Sequence, residues 1–199
     1  MRLTTFCSIQ VGLTTRTRLE PVAQGGILAI QLRDISSEGR IDITRLSRVH
    51  LDSVPERYLV GHGDVVFRSR GEWNTASAIG NQFVEPALAV MPLFILRPNR
   101  EIVIPEYLAW AINQPPAQRH FAGNAQGGSM RMVPKSSLDD LELDMPDLAT
   151  QRQLIIVNDL ADQERTLAVT IAEKRRRLTD HLLIERTKVQ SVRKSGVRK

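Results

Sequence analysis

The chain has 199 residues, a quarter of them charged, a net charge of +5 and one cysteine. That length suits one domain with its own core plus an extension, and the composition is that of a globular chain, not a disordered one. A single cysteine excludes an internal disulfide, and Cys7 reads as a small buried side chain in preference to a reactive thiol.

The first dozen residues, MRLTTFCSIQVG, are expected to form a short helix ending at Gly12. The opening decamer lacks the apolar core of a secretory signal. LTTRTRLEPVAQGG follows as a polar loop with two arginines. GILAIQLRDI (26–35) is apolar, β-branched and bounded by glycine, and reads as a strand. RIDITRLSRVHL (40–51) alternates imperfectly and reads as one or two more. In YLVGHGDVVFRSRG (58–71) the turn GHGD feeds a strand, DVVF, that leaves through Arg68-Ser69-Arg70-Gly71. ALAVMPLFILRP (87–98) reads as a buried strand; its apolar run is too short for a bilayer and holds Pro92, so a cytoplasmic chain with no membrane partner is expected. IPEYLAWAINQ has Pro105 in a first turn and apolar residues at helical spacing, which predicts a helix broken by Pro115-Pro116, with a short turn over PAQRHF. The glycine-rich loop GNAQGGSMRMVP (123–134) comes next. In SSLDDLELDMP (136–146) a turn precedes a half-buried strand, with Leu141, Leu143 and Met145 alternating against Glu142 and Asp144.

No glycine or proline occurs from Asp147 to Ser195, which predicts a long helix of about forty residues and about 60 Å. Val157, Leu160, Leu167, Ile171 and Leu178 occupy a and d positions of one heptad frame. Glu164, Lys174 and His181 occupy the same frame, so the seam is imperfect. Such a helix needs either a partner helix, the reading we favour, or its own domain to cover it. The last residues read as a basic tail.

The four histidines show no metal-ligand spacing with one another or with Cys7, so no metal site is expected. Neither a phosphate-binding GxxxxGK[ST] nor a GxGxxG motif is present, and Ser129 with His120 lacks an elbow motif and an orienting acid. A non-catalytic chain follows. What the sequence does hold is hydrogen-bond donors on loops: Arg16 and Arg18 in the first, Arg68 and Arg70 at a strand end, and Asn124, Gln126, Ser129, Arg131 and Lys135 around the glycine-rich stretch. Arginine bridges guanine N7 and O6, asparagine and glutamine bridge adenine N6 and N7, and lysine, serine and backbone N–H groups hold phosphate. The inventory suits DNA reading; the competing reading is a tight Gly127-Gly128 turn among ordinary surface arginines.

The order of these features resembles a target-recognition domain of a type I restriction-modification specificity subunit. GLTTR (12–16) precedes ILAIQLRDISSEGRI (27–41); LVGHGDVVFRSRG, LFILRP, IPEYLAWAIN and the GGS loop follow in the family's order. LELDMPDLATQRQLIIVNDL then resembles the segment that opens the family's long helix, with Pro146, Leu148 and Gln151 at its proline, apolar and glutamine places. The resemblance implies an α+β fold: a recognition domain (1–147) with a twisted mixed or antiparallel sheet and short helices, a long C-terminal helix (148–190) for dimer or partner packing, and a basic tail (191–199). It implies a DNA-binding subunit with no cofactor of its own, choosing the double-stranded sequence at which a modification subunit methylates adenine with S-adenosylmethionine and at which a restriction subunit acts.

Full subunits of that family carry two recognition domains and two antiparallel long helices, whereas this chain has one of each. A half-subunit homodimer through residues 148–190 is therefore expected, with an inverted-repeat target of fixed gap. The charge map agrees. Residues 1–135 hold fifteen basic and eleven acidic side chains, residues 136–173 two and nine, and residues 174–199 ten and two, for net charges of +4, −7 and +8. Residues 174–177, Lys-Arg-Arg-Arg, wrap the helix in positive charge, for an acidic partner, for DNA backbone or as a solvated helix end. The alternative from another class is an assembly protein, or a remnant specificity fragment, that acts through its long helix without reading DNA.

Overall fold

The computed structural model describes residues 1–15, 19–124 and 132–195, with side chains as far as 186. The chain divides into two units, Met1–Ile155 and Ile156–Lys199.

The first unit is built on two four-stranded sheets. One has the order β1-β8-β5-β6, from Cys7–Val11, Leu93–Pro98, Val65–Arg68 and Ala76–Ala78, and is antiparallel throughout. The other has the order β3-β2-β7-β4, from Ser47–Val49, Ile27–Ile30, Ala87–Ala89 and Leu59–Val60; β2 and β7 are parallel, their neighbours antiparallel. Three short helices follow: α1 (Pro105–Asn113), α2 (Pro115–Asn124) and α3 (Lys135–Asp139).

Alternation along the strands builds the layers. In β5, Val65 and Phe67 join Leu108, Ile112, Phe121 and Leu138 in a core between the first sheet and the helices. Val66, between them, turns to the opposite face and meets Ile30, Val60 and Ala89 of the second sheet. In β8, Leu96 goes with the helices and Ile95 with the second sheet. Phe67 is the keystone of the helical side, its ring centroid 5.0 Å from that of Phe121 and 6.4 Å from that of Phe94.

Several expectations are corrected. The N-terminal helix is a single 3-10 turn, Leu3–Thr5, after which Cys7–Val11 pairs with β8, because alternating Cys7 and Ile9 pack on the core while Ser8 and Gln10 face out. The run 87–98 is two strands, not one: it breaks at Val90–Pro92, where Met91-Pro92 is cis, and its halves lie in different sheets. GILAIQLRDI leaves its strand at Ile30 for a 3-10 turn at Leu32–Asp34, closed by the Asp34 carboxylate accepting the Gln31 N–H at 2.8 Å. Pro115-Pro116 both ends α1 and begins a ten-residue helix, since proline suits a first turn. Residues 141–145 do alternate, with Leu141 and Leu143 buried and Glu142 and Asp144 exposed, but only an Arg2–Glu142 bridge forms, so the segment is extended without being a ladder.

The fourth helix, α4, runs Leu148–Ser195, longer than expected. Asp147 caps it, its carboxylate accepting the Thr150 N–H at 2.8 Å. From Ile156 onward the helix is the second unit, and Leu160, Leu167, Ile171 and Leu178 lie between 48% and 62% exposed. No helix among the described residues is long and apolar enough to cross a membrane.

Candidate nucleic-acid interface

Of the nine residues expected to touch DNA, Arg16, Arg18, Gln126, Ser129 and Arg131 lie outside the described residues. The structure shows where Arg68, Arg70, Asn124 and Lys135 stand, and how the flanks of the glycine-rich stretch are held.

Past β5 the backbone continues as a clasp. Ser69 donates its hydroxyl to the Pro92 carbonyl at 2.6 Å and accepts the Val133 N–H at 2.8 Å. Arg70 and Met132 form an antiparallel bridge. The C-terminal flank of residues 125–131 is thereby fastened beside the Arg68–Arg70 strand end, two loops sixty residues apart in sequence. The N-terminal flank closes α2, where Asn124 donates Nδ2–H to the His120 carbonyl at 2.8 Å.

Arg68 and Arg70 have different situations. Arg68 is half-buried; it donates from Nη1 to the Ile35 carbonyl at 2.9 Å and from Nε to the Arg70 carbonyl at 3.4 Å. Gly71, at φ +114°, lies against it, and a Cβ there would come 3.1 Å from Nη2. Arg68 thus holds the loop's shape from within. Arg70 is exposed. Lys135 is paired along α3 with Asp139 at 2.7 Å, which half-neutralises it as a phosphate contact.

A third loop joins the cluster. Residues 35–41 close on an Ile35–Ile41 bridge, and Thr75 donates to the Ser36 carbonyl at 3.2 Å. Gly39, at φ +73°, is required there: a Cβ would lie 2.4 Å from the Ala76 carbonyl oxygen. Beside it, a cleft of about 480 Å³ is lined by Arg33, Arg40 and Arg45 with Asp34, Glu38 and Asp42. Burial pushes the Asp34 carboxyl above its ordinary range. These three arginines were not singled out in the sequence, where each sits next to or near an acid; only folding puts their loop beside Arg68–Arg70. Trp73, half exposed and three residues past Arg70, was also missed.

The residues read as structural are structural. Asp64 of GHGD accepts the Gly61 N–H at 3.0 Å and lies 3.7 Å from Arg97, with its carboxyl raised by burial. His120 meets the Ser137 carbonyl at 2.8 Å. Cys7 is buried, its thiol pushed up to about 12 by desolvation and the nearby Asp64 charge, so it is inert at neutral pH. Among the described residues no cluster of three or more potential metal ligands occurs.

Gln151, the glutamine of the helix-opening segment, proves to be a fully buried junction. Its Oε1 accepts the Ile104 N–H at 2.9 Å, and its Nε2 donates to the Ile102 and Pro146 carbonyls at 3.0 and 2.8 Å. One amide therefore ties the entry of α1 to the entry of α4.

Two stacked sheets with one helical layer and a long final helix define a fold class: that of the specificity subunits of type I restriction-modification systems. The likeness is explicit in three solved structures. A chain from work on complex assembly and conformational transition of the type I R-M system superposes with a TM-score of 0.62 at 17% identity, over 88% of this chain and 42% of that one. The HsdS subunit from Thermoanaerobacter tengcongensis gives 0.58 at 16%, over 82% and 37%. The type I restriction-modification S subunit from M. genitalium gives 0.56 at 10%, over 82% and 38%. This chain thus spans about two fifths of each. No protein-family model and no curated protein matches its sequence.

Proposed function

We propose that the chain is a non-catalytic DNA-specificity module of a type I restriction-modification system. It reads double-stranded DNA through the loop cluster and directs a modification subunit, and through it a restriction subunit, to the chosen site. The observation that carries this reading is the fold itself, similar to specificity subunits over most of this chain, with Arg70 exposed where three loops converge. On this reading residues 1–147 form the recognition domain and residues 148–190 the packing helix. The chain binds no cofactor, S-adenosylmethionine belonging to the modification subunit. It acts in the cytoplasm as a homodimer, and two identical readers related by a two-fold axis take an inverted repeat with a fixed gap.

The test is selection from random-sequence duplex DNA by the purified chain together with its modification subunit. One inverted motif is expected, bound with an affinity whose logarithm falls linearly with log salt. The apolar stripe of α4 favours a second reading, an assembly protein that docks partners without reading sequence. That reading predicts no enriched motif in the same selection, with the protein complex still forming.

A further inference from the structure

The heptad seam of α4 has two charged interruptions, Glu164 at an a position and Lys174 at a d position. Leu160, Leu167, Ile171 and Leu178, which share the seam, are all about half exposed or more. In an antiparallel helix pair each a residue faces a d residue of the other helix. We infer that two copies of α4 pair antiparallel in one register, in which Glu164 of each copy faces Lys174 of the other. This rests on the homodimer reading above and specifies its geometry.

The register follows from the sequence of the seam. With Glu164 opposite Lys174, Leu160 falls opposite Leu178 and Leu167 opposite Ile171, each twice by symmetry. The layers from Leu160 to Leu178 are then apolar with apolar or acid with base, and the outermost layer sets Val157 against His181. The flanks do not oppose this register: Arg175 and Arg177 run beside the uncharged Ala161 and Gln163 of the second copy and meet no like charge. Sliding by one heptad in one direction sets Glu164 against Leu167 and Lys174 against Val157. Sliding in the other sets Lys174 against Ile171, with Glu164 against His181. Both leave a charge desolvated without a partner. A parallel, in-register pair sets Glu164 on Glu164 and Lys174 on Lys174, which repel. The interruptions cost stability and select one register and one direction, as a polar core residue does in coiled coils.

Charge reversal tests this in the full chain by sedimentation equilibrium. Glutamate and lysine are comparable helix formers, so the exchange leaves the helix intact. Glu164→Lys and Lys174→Glu are each expected to weaken dimerisation by on the order of a hundredfold, since each creates two like-charge layers. The double exchange is expected to restore wild-type association. Independently, Leu160→Cys with Leu178→Cys should form intermolecular disulfides while neither single variant does, and buried Cys7 stays out of the reaction. A dimer indifferent to the single reversals, unrepaired by the double, or cross-linked by Leu160→Cys alone would overturn the register and leave the dimer standing. A strict monomer at micromolar concentration would overturn the dimer reading and the register together.

Discussion

The two units treat their apolar side chains in opposite ways. In Met1–Ile155, Phe67, Leu108 and Ile112 are fully buried and even the Gln151 amide finds all its partners inside. Beyond Ile156, Leu160, Leu167 and Leu178 stay about 60% exposed, and the helix carries local side-chain pairs such as Arg176 to Asp180 at 3.2 Å. Exposed pairs of that kind contribute little. The first unit carries its stability within its own fold; the helix exposes an apolar stripe that its own unit leaves uncovered. On the proposed function, sequence reading falls to the first unit and assembly to the second.

The sharpest way to break this contrast is at Gln151. If the first unit is internally satisfied, Gln151→Leu leaves one N–H and two carbonyls buried without partners and should cost about 3 kcal/mol or more. Urea unfolding of the first unit, followed by Trp110 and Trp73 fluorescence, measures it. A loss under about 1 kcal/mol would mean that water replaces the amide and that the α1–α4 junction is looser than its geometry suggests.

How legible this was in the sequence follows the same division. The long helix was plain because nothing interrupts it from Asp147 to Ser195. The DVVF strand and α1 were plain because their signals are local: a Gly-Asp turn, and proline in a first turn. Single strands that depend on distant partners were not. Ala76–Ala78 looks like nothing alone; it is a strand because β5 pairs with it on one side and the Asn113 side chain does so on the other, accepting the Ala76 N–H at 2.7 Å and donating to its carbonyl at 2.9 Å. The break at Val90–Pro92 was hidden because both halves are equally apolar, each buried on two faces. At the site, arginine content was readable but role was not: Arg68 and Arg70 differ only in which loop carbonyls stand near them after folding. Gln151 was visible only through the family pattern, since no periodicity marks a buried amide.

The Arg68–Arg70 pair gives the next test, of intermediate size, within the first unit. Arg68→Ala removes two loop hydrogen bonds and should cost about 1–2 kcal/mol of stability, seen as an earlier urea midpoint. Arg70→Ala should change stability by under about 0.5 kcal/mol yet lower the affinity for the selected DNA, by about 1–3 kcal/mol where the guanidinium reads a base. Equal losses of stability in both variants would erase the distinction between a loop-holding and a DNA-facing arginine. Equal, sequence-independent losses of DNA affinity would make both phosphate contacts.

The smallest effect is expected at Asp147, where the first unit hands over to α4. The Thr150 N–H holds its carboxyl below the ordinary value of 3.8. A carboxyl depressed by folding contributes stability that is fully present above its unfolded value and is lost as pH falls through its folded one. Asparagine caps helices about as well as aspartate but has no charge for the helix dipole. Asp147→Asn should therefore melt slightly below wild type at pH 7, and the two melting curves should converge as pH drops below 3.8. A gap that persists at pH 2 would show that the charge is not what the cap contributes. Following the melt at the helical band and by tryptophan fluorescence separates the units: a shift confined to the helical band puts the cap's contribution in α4, and a shift in both puts it in the body as well, where Gln151 lies one turn further on.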